Sequence, residues 1–162
     1  MLNSYQKTIS KKVIFRGVGL HSGLKTEVEI FPAPENHGIV FKRTDLDKNN
    51  IIKANFENVS SAQLCTTLQN KFNVTVSTVE HLLASLYITG VDNALIEVSN
   101  AEVPIMDGSS KEFVETISDV GVKVLEAKRK YLKIVKKFEY KQNEKEISIE
   151  PNTNSLKVDF QL

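Results

Sequence analysis

Glu80 and His81 stand side by side in the stretch Ser77-Thr78-Val79-Glu80-His81-Leu82-Leu83-Ala84. An imidazole can ligate a metal and a neighbouring carboxylate can move a proton, which is a start for hydrolytic chemistry. The surrounding pattern predicts a helix. Val79, Leu82, Leu83 and Leu86 fall at i, i+3, i+4 and i+7, one face of a 3.6-residue period. Between Val79 and Gly90 there is no Lys or Arg, and Glu80 and His81 supply the only carboxylate and imidazole. Ala84, Ser85 and Ile88 lie off the apolar stripe and are small or apolar, so the helix is expected to be covered on most sides. A structural role competes with the chemical one. Ser77-x-x-Glu80 is also a capping box, in which Ser77 accepts the Glu80 amide and Glu80 reaches back. A catalytic zinc takes three protein ligands, and this stretch offers one.

Other residues could carry chemistry. Gly17-Val18-Gly19-Leu20-His21-Ser22-Gly23 has three glycines in seven positions, a turn whose backbone needs unusual dihedrals or close approach to something. It is either a plain connection between strands or a turn that projects Leu20 and His21 into a cleft. It is not a phosphate loop, because the Walker spacing and its Gly-Lys-Ser/Thr end are missing. Cys65 has no base beside it in sequence and reads as a packed thiol rather than a nucleophile. Asp107, in Ile105-Met106-Asp107-Gly108-Ser109, is either a metal ligand or a turn residue that holds backbone amides. The lysines of residues 131–138 read as a solvated strand face, with a diphosphate-binding surface as the alternative.

The elements that must position these residues follow from pattern. Residues 7–16 read as one strand, 26–31 as a half-buried strand stopped by Pro32-Ala33-Pro34, and 38–43 as a third. Residues 45–50 are turn-like, and 51–61 give no clear pattern. Residues 64–68 and 73–76 read as two short strands. The first helix runs from Ser77 to a stop at Gly90, and 93–98 is an interior strand. Ser109-x-x-Glu112 is a second capping box, opening a helix over 111–120 that stops at Gly121. Residues 123–130, rich in lysine, read as a linker. Residues 131–138, 146–150 and 155–161 read as three strands that cannot bury their apolar side alone. The fold class is α+β: a sheet-plus-two-helices domain over residues 1–126, then a linker and an incomplete second domain over 127–162.

Composition bounds the function. The 162 residues suffice for one full domain and part of a second, with 41% hydrophobic and 25% charged residues as in an ordinary globular protein. A net charge of +1 gives no reason to expect nucleic acid or an anionic membrane as partner. A single cysteine excludes an internal disulfide and a cysteine-cluster zinc site. The first residues lack the apolar core of a signal peptide, and no run approaches the roughly 18 apolar residues of a membrane span. A cytoplasmic location is the expectation.

Four motifs together resemble one family: Gly17-Val18-Gly19-Leu20-His21-Ser22-Gly23, Thr78-Val79-Glu80-His81-Leu82, Asp92-Asn93, and Glu102-Val103-Pro104-Ile105-Met106-Asp107-Gly108-Ser109. In this order they closely resemble the UDP-3-O-acyl-N-acetylglucosamine deacetylases, zinc amidohydrolases of lipid A synthesis in Gram-negative bacteria. The resemblance implies two similar α+β domains with their helices sandwiched between the sheets and the active site between the domains. It implies that His81 is a zinc ligand and Glu80 the general base. With it come water and UDP-3-O-acyl-N-acetylglucosamine as substrates and a monomeric parent protein. Leu20, His21, Leu64 and Cys65 fall where the family lines the cleft near the metal and acyl chain. The Asp107 turn matches a family landmark read as structural.

Members of that family are about twice as long. Their second domain supplies the remaining Zn2+ ligands and the groups that assist the tetrahedral intermediate, and neither His21 nor His37 matches them. The expectation is a fragment that holds zinc weakly and is inactive alone. Two other classes stand beside it: a non-catalytic binding or assembly module completed by another chain, and a nucleic-acid-binding domain, against which the near-zero charge argues.

Overall fold

The computed structural model describes residues 5–153 and 156–161, and the chain divides into two units between Arg129 and Lys130. The first unit opens with β1 (Tyr5–Ile9), β2 (Val13–Val18), β3 (Lys25–Pro32), β4 (Ile39–Arg43) and β5 (Ile51–Lys53). A single 3-10 turn (Phe56–Asn58), β6 (Val59–Ser61), β7 (Thr67–Gln69) and β8 (Thr75–Val76) lead to α1 (Glu80–Thr89). Then come β9 (Ala94–Val98), α2 (Lys111–Val120) and β10 (Val122–Lys128). The second unit contains β11 (Phe138–Gln142) and β12 (Lys145–Ile149). The class is α+β.

Alternation builds the main sheet. Its strand order is β2-β3-β9-β4-β5, antiparallel except for the parallel pair β4 and β9. One cross-strand row runs Val13, Ile30, Ile96, Phe41, Ile52, and all five are buried. The adjacent row, on the opposite face, is Ile14, Glu29, Glu97, Lys42, Ile51. Its polar members pair at the surface, Lys42 to Glu97 at 2.8 Å and Lys12 to Glu29 at 2.9 Å. Successive side chains point to opposite faces, so a strict two-residue period yields one wet and one dry face. The dry face shares a core with Leu82 and Leu86 of α1 and Phe113 and Ile117 of α2. The two helices pack side by side.

Several expected elements differ in the structure. Residues 7–16 are two strands, because the exposed triplet Ser10-Lys11-Lys12 turns the chain from one sheet to another. Residues 64–68 enter a strand only at Thr67, because Leu64 takes φ 66° and leaves its side chain 87% exposed. Residues 123–130 are no linker. Val122–Lys128 is β10, antiparallel to β1, with Val122, Leu125 and Ala127 half-buried and the charged residues outward. Their lysines protect an edge rather than break a strand. Residues 131–137 join no ladder, and strand structure resumes at Phe138.

The second unit is a hairpin in which Phe138 pairs with Ile149 and Tyr140 with Ile147. All four side chains are exposed. The expected strand over 155–161 is not seen over 156–161, and Ser155 lies outside the described residues.

Candidate functional site

The chain enters α1 through Thr78, a buried β-branched residue at φ 56°. That conformation is rare for a branched side chain and reverses the local chain direction. It separates Ser77 from the helix. The Ser77 amide and hydroxyl both donate to the Ala101 carbonyl, at 2.9 and 3.2 Å, and the Val103 amide donates back to the Ser77 carbonyl. Val79 takes the N-cap position in helical backbone with no side-chain cap, so the capping box expected at Ser77 and Glu80 is absent.

The Glu80 carboxylate has a different partner. Its Oε2 accepts the Thr66 amide at 3.0 Å, which ties the turn carrying Leu64 and Cys65 to the start of α1. A carboxylate has roughly four acceptor positions, and this bond uses one. His81 is half-buried beside it. Its Nδ1 is buried and has no hydrogen-bond partner among the described residues. A buried polar atom in that state costs about 1–3 kcal/mol, so it calls for a ligand. The His81 carbonyl accepts the Ser110 hydroxyl at 3.0 Å, which fixes the first turn of α1 against the start of α2.

Behind this helix start lies a carboxylate that the sequence reading passed over. Glu102 is buried and accepts the His21 amide at 2.9 Å, the Ser22 amide at 2.8 Å and the Thr78 hydroxyl at 3.0 Å. Burial pushes its pKa up, but the bonds from the His21 amide, from Ser22 and from Thr78 outweigh that and hold the carboxyl below its ordinary range. A Cβ on Gly19 would come within 2.4 Å of its Oε2. The glycine turn reads as needing unusual dihedrals or close approach to something; Gly23 at φ 66° supplies the first and Gly19 against Glu102 the second. The glycine spacing was the available signal.

Among the residues expected to line a cleft, Leu20, His21 and Leu64 are exposed and Cys65 is half-buried. The Cys65 thiol lies 3.7 Å from the Thr67 hydroxyl. The structure links the Leu20–His21 turn to Thr78 through Glu102, and the Leu64–Cys65 turn to Glu80 through Thr66. Asp107 is exposed, and its Oδ1 accepts the amide and the hydroxyl of Ser109, both at 2.9 Å. These bonds lower its pKa. Ser109 Oγ in turn accepts the Lys111 amide at 3.1 Å, while Ser110 at the N-cap makes no side-chain cap. The second capping box is therefore replaced by an Asp107–Ser109–Lys111 relay.

The outer face of α1 was expected to be covered. Leu82, Ser85 and Leu86 are buried, but Ala84, Tyr87 and Ile88 are exposed. Two surface hollows, of about 420 and 300 Å³, are lined by none of the expected site residues. Among the described residues no three of His, Cys, Asp and Glu come together as a metal cage. No described helix is long and apolar enough to cross a membrane.

Comparison with known proteins agrees with the motif set. The family model for UDP-3-O-acyl N-acetylglycosamine deacetylase matches residues 6–162. A UDP-3-O-acyl-N-acetylglucosamine deacetylase of Shewanella frigidimarina is 44% identical over 158 residues, covering 98% of this chain and 51% of that protein. The like-named protein of Colwellia psychrerythraea is 44% identical over 157 residues, covering 97% and 51%. That of Glaesserella parasuis is 39% identical over 155 residues, covering 96% and 51%. The chain spans about half the length of the curated relatives it matches.

Proposed function

The chain belongs to the UDP-3-O-acyl N-acetylglycosamine deacetylase family, and from that membership we propose that it contributes the Glu80–His81 half of a zinc-dependent active site. The whole protein would remove the N-acetyl group from UDP-3-O-acyl-N-acetylglucosamine, a step of lipid A biosynthesis. The observation that carries the reading is the His81 ring: a buried nitrogen without a partner among the described residues, next to a carboxylate with acceptor capacity to spare. That donor set fits one ligand of a zinc ion and one proton acceptor. Among the described residues no three of His, Cys, Asp and Glu form a cage, and we assign the remaining ligands to the rest of the full-length protein.

When bound, zinc activates water near neutral pH and polarises a carbonyl. In this chain His81 would hold the ion. Glu80 would take the proton of the attacking water, with the Thr66 amide engaging one of its oxygens. Leu20, His21, Leu64 and Cys65 would line the approach to the acyl chain. Apolar Leu20 and Leu64, 61% and 87% exposed, suit contact with lipid carbon. We place the reaction in the cytoplasm and expect a monomeric parent protein.

The test is deacetylation by the full-length gene product, assayed with zinc content. His81→Ala should lower bound zinc and bring turnover to background. Glu80→Gln should keep the metal and lower kcat by roughly 10²- to 10⁴-fold. Undiminished turnover in either variant would remove the residue from the role given. The 162 residues alone should bind zinc weakly and give no turnover; robust activity of that chain, lost in His81→Ala, would overturn this.

A further inference from the structure

We propose that Glu102 is a positioning residue: its carboxylate fixes the Leu20–His21 turn against the strained entry to α1 and so sets where His21 stands relative to Glu80 and His81. The clamp stands on geometry alone, and its consequence for turnover rests on the deacetylase reading above.

Three observations converge. The carboxylate is buried and meets three donors, the His21 and Ser22 amides and the Thr78 hydroxyl. A buried carboxylate so held is a strong and directional anchor, because hydrogen bonds to an ionised acceptor are about twice as strong as neutral ones. The donors belong to two segments far apart in sequence: His21 and Ser22 in the turn, and Thr78 two residues before Glu80. Thr78 keeps its rare φ of 56°, and its hydroxyl spends that conformation on Glu102. Gly19 completes the fit, since a Cβ there would clash with Glu102 Oε2 and with Ser22 Oγ. Ser77 bridges Glu102 in parallel register, so backbone pairing and the Thr78 hydroxyl bond both hold the entry to α1 against the Glu102 segment.

The arrangement predicts a specific failure. Glu102→Gln keeps the shape but turns one acceptor into a donor facing another donor. The turn should come loose while the core stays. In the full-length gene product, amide hydrogen exchange at His21 and Ser22 should speed up by about 10- to 100-fold, the equivalent of a lost charge-assisted bond. Protection at Leu82 and Leu86 should be unchanged. In parallel, kcat/KM for deacetylation should fall by a similar factor, and the fall should shrink below about twofold in a His21→Ala background. A purely structural glutamate would instead give losses that multiply in the double variant. Unchanged exchange at His21 and Ser22, or multiplying losses, would overturn the proposal. If the wild-type protein shows no deacetylation at all, the functional reading fails, and the exchange result still decides the clamp. Should Glu102→Gln not fold, Thr78→Val, which removes one donor, should speed exchange at His21 and Ser22 more than Thr78→Ser, which keeps the hydroxyl; an equal or smaller effect of Thr78→Val would overturn the clamp.

Discussion

The two helices of the first unit make a controlled comparison. Each has ten residues, each follows a Ser-x-x-Glu sequence, and each stops at a glycine with positive φ. α2 is amphipathic: Phe113 and Ile117 are buried, and Lys111, Glu112, Glu115 and Asp119 face water. α1 buries Leu82, Ser85 and Leu86 but turns Ala84, Tyr87 and Ile88 outward where polar residues would be expected. Its one carboxylate and one imidazole crowd into the first turn, the imidazole with a buried nitrogen lacking a partner among the described residues. α2 therefore resolves its own chemistry within the fold. α1 does not, since it leaves the buried His81 nitrogen without a partner among the described residues.

The largest effect that tests this difference is on stability. Phe113 is fully buried and meets Phe15 edge-on, with ring centroids 4.7 Å apart at 63°. Phe113→Ala should cost about 3–5 kcal/mol in urea unfolding. On α1, Tyr87 is 73% exposed, and Tyr87→Ala should stay within about 0.5 kcal/mol. A comparable loss at Tyr87 in this chain would mean that the outer face of α1 is covered after all, and the comparison would collapse.

The helix stops differ in a way the sequence hides. Gly90 sits at φ 76°, ψ 25°, the left-handed helical well. Gly121 sits at φ 73°, ψ 177°, which is nearly closed to any side chain. Neither position is crowded, since an added Cβ would meet only ordinary contacts at 3.7 and 3.8 Å. The penalty is therefore conformational. Gly121→Ala should lose about 2–3 kcal/mol and Gly90→Ala about 1 kcal/mol, measured as shifts in the unfolding midpoint. Equal losses would erase the distinction.

What could be read in advance followed the range of the forces involved. The interior strand β9 and the bounds of α2 were legible because a run of apolar residues and a 3.6-residue period are local facts. The start of α1 was not. The capping box assumes Ser77 is free, and Ser77 is bonded to Ala101, 24 residues on. β10 was hidden by its lysines, since only pairing with β1 at the other end of the unit reveals it as a strand. The same division runs through the site. The types of Glu80 and His81 and the motifs around them pointed to chemistry. The Thr66 amide that holds Glu80 and the three donors that converge on Glu102 are tertiary facts with no periodic signature. Gly17 and Gly19 announced close neighbours without naming them.

The smallest effect separates the two helix entries by pH. Asp107, ahead of α2, is held below its ordinary pKa by the Ser109 hydroxyl and amide. A carboxyl depressed in the folded state stabilises fully above its unfolded pKa, near 4, and loses that contribution as pH falls through the folded value. Asp107→Asn should therefore weaken the protein slightly at neutral pH and flatten the decline of stability below about pH 4. Because Asp107 is exposed, solvent screens its bonds and the change should be near the limit of detection. Glu102, bonded to Thr78 at the entry to α1, is depressed in the same direction but is buried, with three donors committed to it. Acid titration of unfolding midpoints should then show the decline flattened visibly by Glu102→Gln and barely by Asp107→Asn. A larger change at Asp107 would mean that the entry to α2, not the entry to α1, is where the fold depends on a charge.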